Sequence, residues 1–110
     1  MPDKTKYYSV RDLKAFQLTF NVYQQACEWL DAGHIIVETL KRVLHDLVRG
    51  CHRFDNGRKA EAYCSARDHA SEVVCELILM REAKAEPLIH TIEQDLMPAF
   101  AALMQRVDKW

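Results

Sequence analysis

IIVETLKRVLHDLVRGCHRF, residues 35–54, decides the fold. Within it Ile36, Leu40, Val43, Leu47, Cys51 and Phe54 recur at steps of three and four, the spacing that lines up one face of an α-helix. Asp55-Asn56-Gly57 follows, a cluster that favours a tight turn, so helix 2 is predicted over about 35–54. Gly50 inside it costs roughly 1 kcal/mol relative to alanine. Two readings of that glycine stay open: it lets a neighbouring helix come close, or it weakens the last turn.

The same period extends in both directions. Upstream, Leu13, Phe16, Phe20, Tyr23, Cys27 and Leu30 form a stripe that predicts helix 1 over about 10–31. Ser9 with Asp12 has the spacing of a capping box, and Gly33 offers the left-handed residue that ends a helix. Downstream, Tyr63, Ala66, Ala70, Val73, Leu77 and Met80 predict helix 3 over about 58–83. Its small residues come early and its large ones late, which allows close approach near its start. Ile89, Ile92, Leu96, Ala99 and Leu103 predict helix 4 over about 87–107, with Pro87 in its first turn and Pro98 bending its interior. Four helices with short connections imply an all-α, antiparallel up-and-down four-helix bundle, a single domain over 1–110.

Composition agrees with that class. The chain has 110 residues, 49% hydrophobic and 28% charged, which is globular rather than disordered or low-complexity. Three glycines and three prolines are few for a β-sandwich or barrel of this length. The opening Met1-Pro2-Asp3-Lys4-Thr5-Lys6 is polar and leads into no apolar leader core. No uncharged apolar stretch approaches the ~20 residues of a membrane span. Cys27, Cys51, Cys64 and Cys75 fall inside helical patterns without a Cys-x-x-Cys pair, so they read as reduced core thiols of a cytoplasmic protein.

One bundle accounts for one apolar stripe per helix, yet there are more. Leu18, Val22 and Trp29 on helix 1, Val74, Ile78 and Leu79 on helix 3, and Phe100 and Met104 on helix 4 lie off the seams. Second apolar faces of this size exceed what a soluble monomer usually exposes, and the expectation is a homo-oligomer with those eight residues at its interfaces.

The residues also resemble a family. Arg11-Asp12-Leu13-Lys14-Ala15-Phe16-Gln17 is similar to the "DLxVYQ" start of helix 1 in the four-helix-bundle proteins encoded in 23S rRNA intervening sequences, and in their relatives, the accessory variability determinant proteins of diversity-generating retroelements. Leu47-Val48-Arg49-Gly50 falls where the family has "NIAEG", and Tyr63, Ala70 and Val74-Cys75-Glu76-Leu77 fall on "F…A…LAEL". The similarity covers about residues 10–83. Where the family has a helix-2 proline, asparagine and glutamate, this chain has Leu44, Asp46 and Arg49, so of that motif the glycine remains. The resemblance implies a four-helix bundle, a ring-like homopentamer, and association with nucleic acid or reverse transcriptase in the retroelement branch. It supplies no catalytic residue.

Charge points to one surface. The total is −1, which excludes a whole-molecule field drawing the protein to nucleic acid or anionic lipid. Residues 41–59, however, carry six bases against two acids, a net +4, while residues 60–96 carry eight acids against three bases, a net −5. Lys41, His45, Arg49 and Arg53, spaced by four and joined by His52, form a basic ladder opposite the helix-2 stripe. Such a ladder suits successive phosphates of an RNA or DNA, with strong salt dependence and little base selectivity because no aromatic interleaves it. The alternative is a solvated face, or one already paired with acidic helix 3.

Other chemistry finds less. His45 and His52 share a face, but no third ligand completes a metal site, and the paired Glu-x-x-His of di-iron bundles is missing. No cofactor is expected. The segment His45-Asp46-Leu47-Val48-Arg49-Gly50 is similar to the "HxLKG" of histidine phosphotransfer bundles, with the glycine one residue late. That shift moves the glycine by about 100° around the helix, away from the imidazole it should make room for. Ser9, Ser65 and Ser71 lie at a cap or within helices, without the strand-to-helix elbow of a serine nucleophile. The expectation is a non-catalytic scaffold or binding module, with phosphotransfer through His45 as the alternative.

Overall fold

The computed structural model describes residues 9–108, so the polar opening of the chain lies outside the described residues. Among them every regular element is helical: short 3-10 turns at Val10–Asp12 and Ala83–Ala85, then α1 (Lys14–Cys27), α2 (Ile35–Cys51), α3 (Asn56–Met80), α4 (Glu86–Thr91) and α5 (Met97–Asp108). A π turn, Ile92–Leu96, joins α4 to α5 without a break, giving a bent fourth helix. Neighbours in sequence are neighbours in space. α1 meets α2 and the fourth helix, α3 meets the same two, and the diagonal pairs do not approach one another. This is a four-cornered helical bundle, a rod of 49 × 22 × 21 Å.

Local chemistry sets the ends. Ser9 and Asp12 do form the expected capping box, but it starts the 3-10 turn; Leu13 is extended, and α1 begins only at Lys14. His34 caps α2, its Nδ1 accepting from the Ile36 N–H at 3.1 Å. Asp55 caps α3, its Oδ1 accepting from the Gly57 N–H at 2.8 Å. The expected left-handed residue at Gly33 is absent, since no glycine has positive φ. The left-handed residue is Arg81 (φ 56°, ψ 40°), which stops α3 at Met80, the last residue of its apolar stripe and three short of the expected bound.

The core follows the predicted stripes in α2 and α3: Ile36, Leu40, Val43 and Leu47 face Tyr63, Ala66, Ala70, Val73 and Leu77, all buried. Each large side chain removed from water here contributes about 1.5–3 kcal/mol before entropy is counted. In α1 the buried row is Ala15, Thr19, Val22 and Ala26. The predicted row runs parallel to it, one residue on and about 100° round the helix. Phe16 and Tyr23 are half-buried, Phe20 is 42% exposed, and the three rings stack in series at 6.2 Å. A face of small residues lets α1 settle closely against its neighbours, and the aromatic row is left on its flank.

Val22 and Phe100, expected at an oligomer interface, are therefore corrected: both are fully buried core residues. For Phe100 the cause is the π turn. Met97 N–H reaches back five residues to the Ile92 carbonyl just ahead of Pro98, where a ring without an N–H would crowd a normal α-turn. The widened turn delays the stripe by a residue, so Phe100 is buried and Ala99 half-buried. Leu18, Trp29, Val74 and Met104 pack partly buried against the core, while Ile78 and Leu79 are exposed. The cysteines are free thiols but not core ones: Cys27 and Cys75 are exposed and Cys51 and Cys64 half-buried.

Gly50 turns out to be a contact. A Cβ built there lies 2.5 Å from Tyr63 Cε1, 2.7 Å from its Cδ1 and 3.2 Å from Ala62 Cβ. Tyr63 is itself only 2% exposed and has little room to withdraw. Gly50→Ala therefore lowers stability by about 1–3 kcal/mol, overpacking outweighing the ~1 kcal/mol gained in helix propensity. Urea denaturation reads the sign: an unchanged or raised midpoint would mean that the two helices are not in contact there.

Candidate functional site

The end of α2 and the start of α3 carry most of the molecule's polar construction. Asp46 is buried, and its carboxylate is fully used: Oδ1 accepts from Arg49 Nη2 at 2.6 Å, and Oδ2 accepts from Ser65 Oγ at 2.9 Å and lies 2.8 Å from His69 Nδ1. With an ionised carboxylate opposite it, Nδ1 is the protonated nitrogen and donates. One turn further along α2, Lys59 Nζ donates to the carbonyls of Gly50 at 2.8 Å and Cys51 at 3.3 Å. It also sits 5.7 Å from the centroid of the Tyr63 ring. A cation on the last carbonyls of a helix satisfies orphan acceptors and suits the negative end of its dipole. Burial pushes the Lys59 ammonium below its ordinary range, and burial likewise pushes the Tyr63 phenol up, to about 12.

These contacts set where the basic residues go. Side chains four apart on an α-helix are not in line but drift by about 40° per step, so Arg49 stands about 80° round α2 from Lys41, and Arg53 lies beyond the helix, which ends at Cys51. Lys41 belongs to the α1 side. It pairs with Glu38 at 3.5 Å, and both act on Tyr23, whose phenol is raised chiefly by its hydrogen bond with Cys27. His45 and His52 are exposed. Arg49 and Arg53 turn toward α3, where with Arg58, Glu61 and Ala62 they line an open hollow of about 220 Å³. Arg53 and Arg58 also line a second hollow of about 290 Å³ with His52, Phe54 and Asp55.

Of the five expected contact residues, then, Arg49, Arg53 and His52 gather at the α2–α3 turn, while Lys41 and His45 lie further up α2. Arg49 is held in place by Asp46 through Nη2 alone and keeps its other N–H groups for a ligand. Among the described residues none forms an ion pair with Arg53 or Arg58, and Glu61 of α3 lines the hollow they share. Arg58 and Phe54 were missed as site residues. Arg58 stands on the next helix, and only the Asp55-Asn56-Gly57 turn brings it back against Arg53. Phe54 was assigned to the helix-2 core stripe, but α2 ends at Cys51 and Phe54 is 101% exposed.

Two other constellations are present in part. Asp46 and His69 are joined as in a catalytic relay, but Ser65 donates to the same carboxylate oxygen rather than to the imidazole, so no hydroxyl is activated. Gly50 faces Tyr63 and is buried, so it makes no room beside the exposed His45. Among the described residues no group of three or more His, Cys, Asp and Glu side chains is arranged to hold a metal ion, and no helix is long and apolar enough to cross a membrane. Compared with protein-family models, with curated proteins and with solved structures, the chain finds no match.

Proposed function

We propose that this chain is a non-catalytic, self-associating helical-bundle module that binds an anionic partner, RNA or DNA, through the arginines at its α2–α3 turn. The observation that carries the reading is the convergence of Arg49, Arg53 and Arg58 on one open hollow, two of them in no ion pair among the described residues. Guanidinium groups gathered in this way suit phosphate oxygens, which take their N–H groups in pairs. His52 extends the same surface, Lys41 adds a more distant charge, and His45 lies between them on α2.

The helices in this reading run up and down, antiparallel to their neighbours. Support comes from the short connections and from the pairing of α2 with α3, in which Asp46 meets Ser65 and His69 while Gly50 meets Lys59. Exposed apolar side chains support self-association: Phe20 on α1, and Ile78 and Leu79 on α3. α1 and α3 occupy diagonal corners. Apolar patches on different sides of a rod favour head-to-tail contacts, which close into rings, over a two-fold dimer. The resemblance to the intervening-sequence proteins points the same way, toward a ring-like homopentamer. Four free thiols are in keeping with the reducing cytoplasm.

Filter binding with structured RNA and DNA at two salt concentrations tests the partner. Binding is expected at low salt, to weaken steeply as salt rises, and to fall at least tenfold for Arg49→Glu with Arg53→Glu, as the loss of two phosphate contacts requires. No binding at low salt, or binding unchanged in the double variant, would remove the reading. Sedimentation equilibrium tests the assembly: a mass several times 12.8 kDa is expected, and a monomer at high concentration contradicts it.

A further inference from the structure

Phe54 is the most exposed large apolar side chain among the described residues, standing clear of both helices at the turn between them. Its neighbours are not apolar. His52, Arg53, Asp55 and Arg58 line the hollow beside it, and Arg53 and Arg58 continue from there into the hollow of Arg49. Asp55, the acid of this group, already accepts from the Gly57 N–H as the cap of α3. Glu61 lines the Arg49 hollow but not the one that Phe54 lines.

An aromatic face next to unpaired guanidinium groups matches one kind of ligand. Bases of a duplex are stacked on each other and cannot reach a side chain outside the helix, whereas an unpaired nucleotide offers a free π-face one bond system away from its phosphate. From this juxtaposition we infer that the α2–α3 turn binds unpaired nucleotides, with a base stacked on Phe54 and the adjoining phosphates held by Arg53, Arg58 and Arg49. The inference rests on the nucleic-acid reading above and narrows it to single-stranded segments: loops, bulges or ends. Stacking is tolerant of base identity because every base has a π-face, so the site discriminates by strandedness rather than by sequence.

Fluorescence anisotropy with a labelled single strand and with the same sequence as a duplex, at low salt, tests it. Phe54→Ala is expected to weaken single-strand binding by about 5- to 150-fold, the range that corresponds to losing ~1–3 kcal/mol of stacking for one base, while duplex binding stays as it was. Phe54→Trp should retain single-strand affinity, and Phe54→Ala should keep the parent's melting temperature because the ring touches no core. If Phe54→Ala binds the single strand as tightly as the parent, or loses strand and duplex by one common factor, the stacking site is wrong although the arginine reading stands. If Phe54→Ala lowers the solution mass, the ring is covered by another copy and the inference is overturned. If the parent binds neither probe, both readings fall together.

Discussion

The absence of a side chain at position 50 governs this molecule more than any bond does. Only with hydrogen there can the Tyr63 ring lie against the α2 backbone, and only then does Lys59, one turn earlier on α3, come within 2.8 Å of the Gly50 carbonyl. The buried lysine closes the end of α2, and the buried carboxylate of Asp46 ties the same two helices together a turn further along. Packing and polar satisfaction thus coincide along one seam. A buried ammonium or carboxylate is costly unless its partners are in place, so each of these contacts depends on the closeness that the glycine permits.

The proposed contact surface is a consequence of that seam. Arg49 leans on Asp46, and Arg58 follows directly on the turn that Lys59 and Asp55 hold. Had α3 stood further off, the guanidinium groups of the two helices would face solvent separately. Brought together with only Arg49 ion-paired among the described residues, they make a local positive field on a protein whose net charge is −1, and such a field acts at the range of a Debye length rather than on the whole molecule. Association through it should be loose, salt-sensitive and tolerant of sequence, which suits a scaffold that gathers nucleic acid better than a reader of base pairs.

How much of this was legible beforehand depended on whether one stripe stood out from its neighbours. In α2 the apolar row is flanked by charge, and Ile36, Leu40, Val43 and Leu47 were identified correctly; α3 followed in the same way. In α1 two rows are apolar, and spacing alone does not say that Ala15, Thr19, Val22 and Ala26 face inward rather than the larger Phe16, Phe20 and Tyr23. In the fourth helix the pattern was read at a constant period, and the widened turn before Pro98 broke it, exchanging Ala99 for Phe100. Of the site, the charge of residues 41–59 was visible but its arrangement was not. A spacing of four looks like a ladder on paper and drifts around a real helix, and Arg58 needed the turn to be folded before it could join. Asp46 and His69 were out of reach, since 23 residues separate two groups that meet at 2.8 Å.

The seam itself can be read through Tyr63. Burial pushes its phenol up to about 12 from 10.0, so between those pH values the folded chain keeps a proton that the unfolded chain has lost. That contribution, roughly 3 kcal/mol for a rise of this size, is fully present below pH 10 and is lost as pH rises through 12. Urea unfolding of the parent and of Tyr63→Phe across that range measures it directly. A close α2–α3 seam predicts that the parent loses about 2 kcal/mol more than the variant between pH 10 and 12. Parallel pH profiles for the two proteins would mean that Tyr63 titrates as a free phenol, that the helices stand apart at Gly50, and that the arginine hollow is not formed as described.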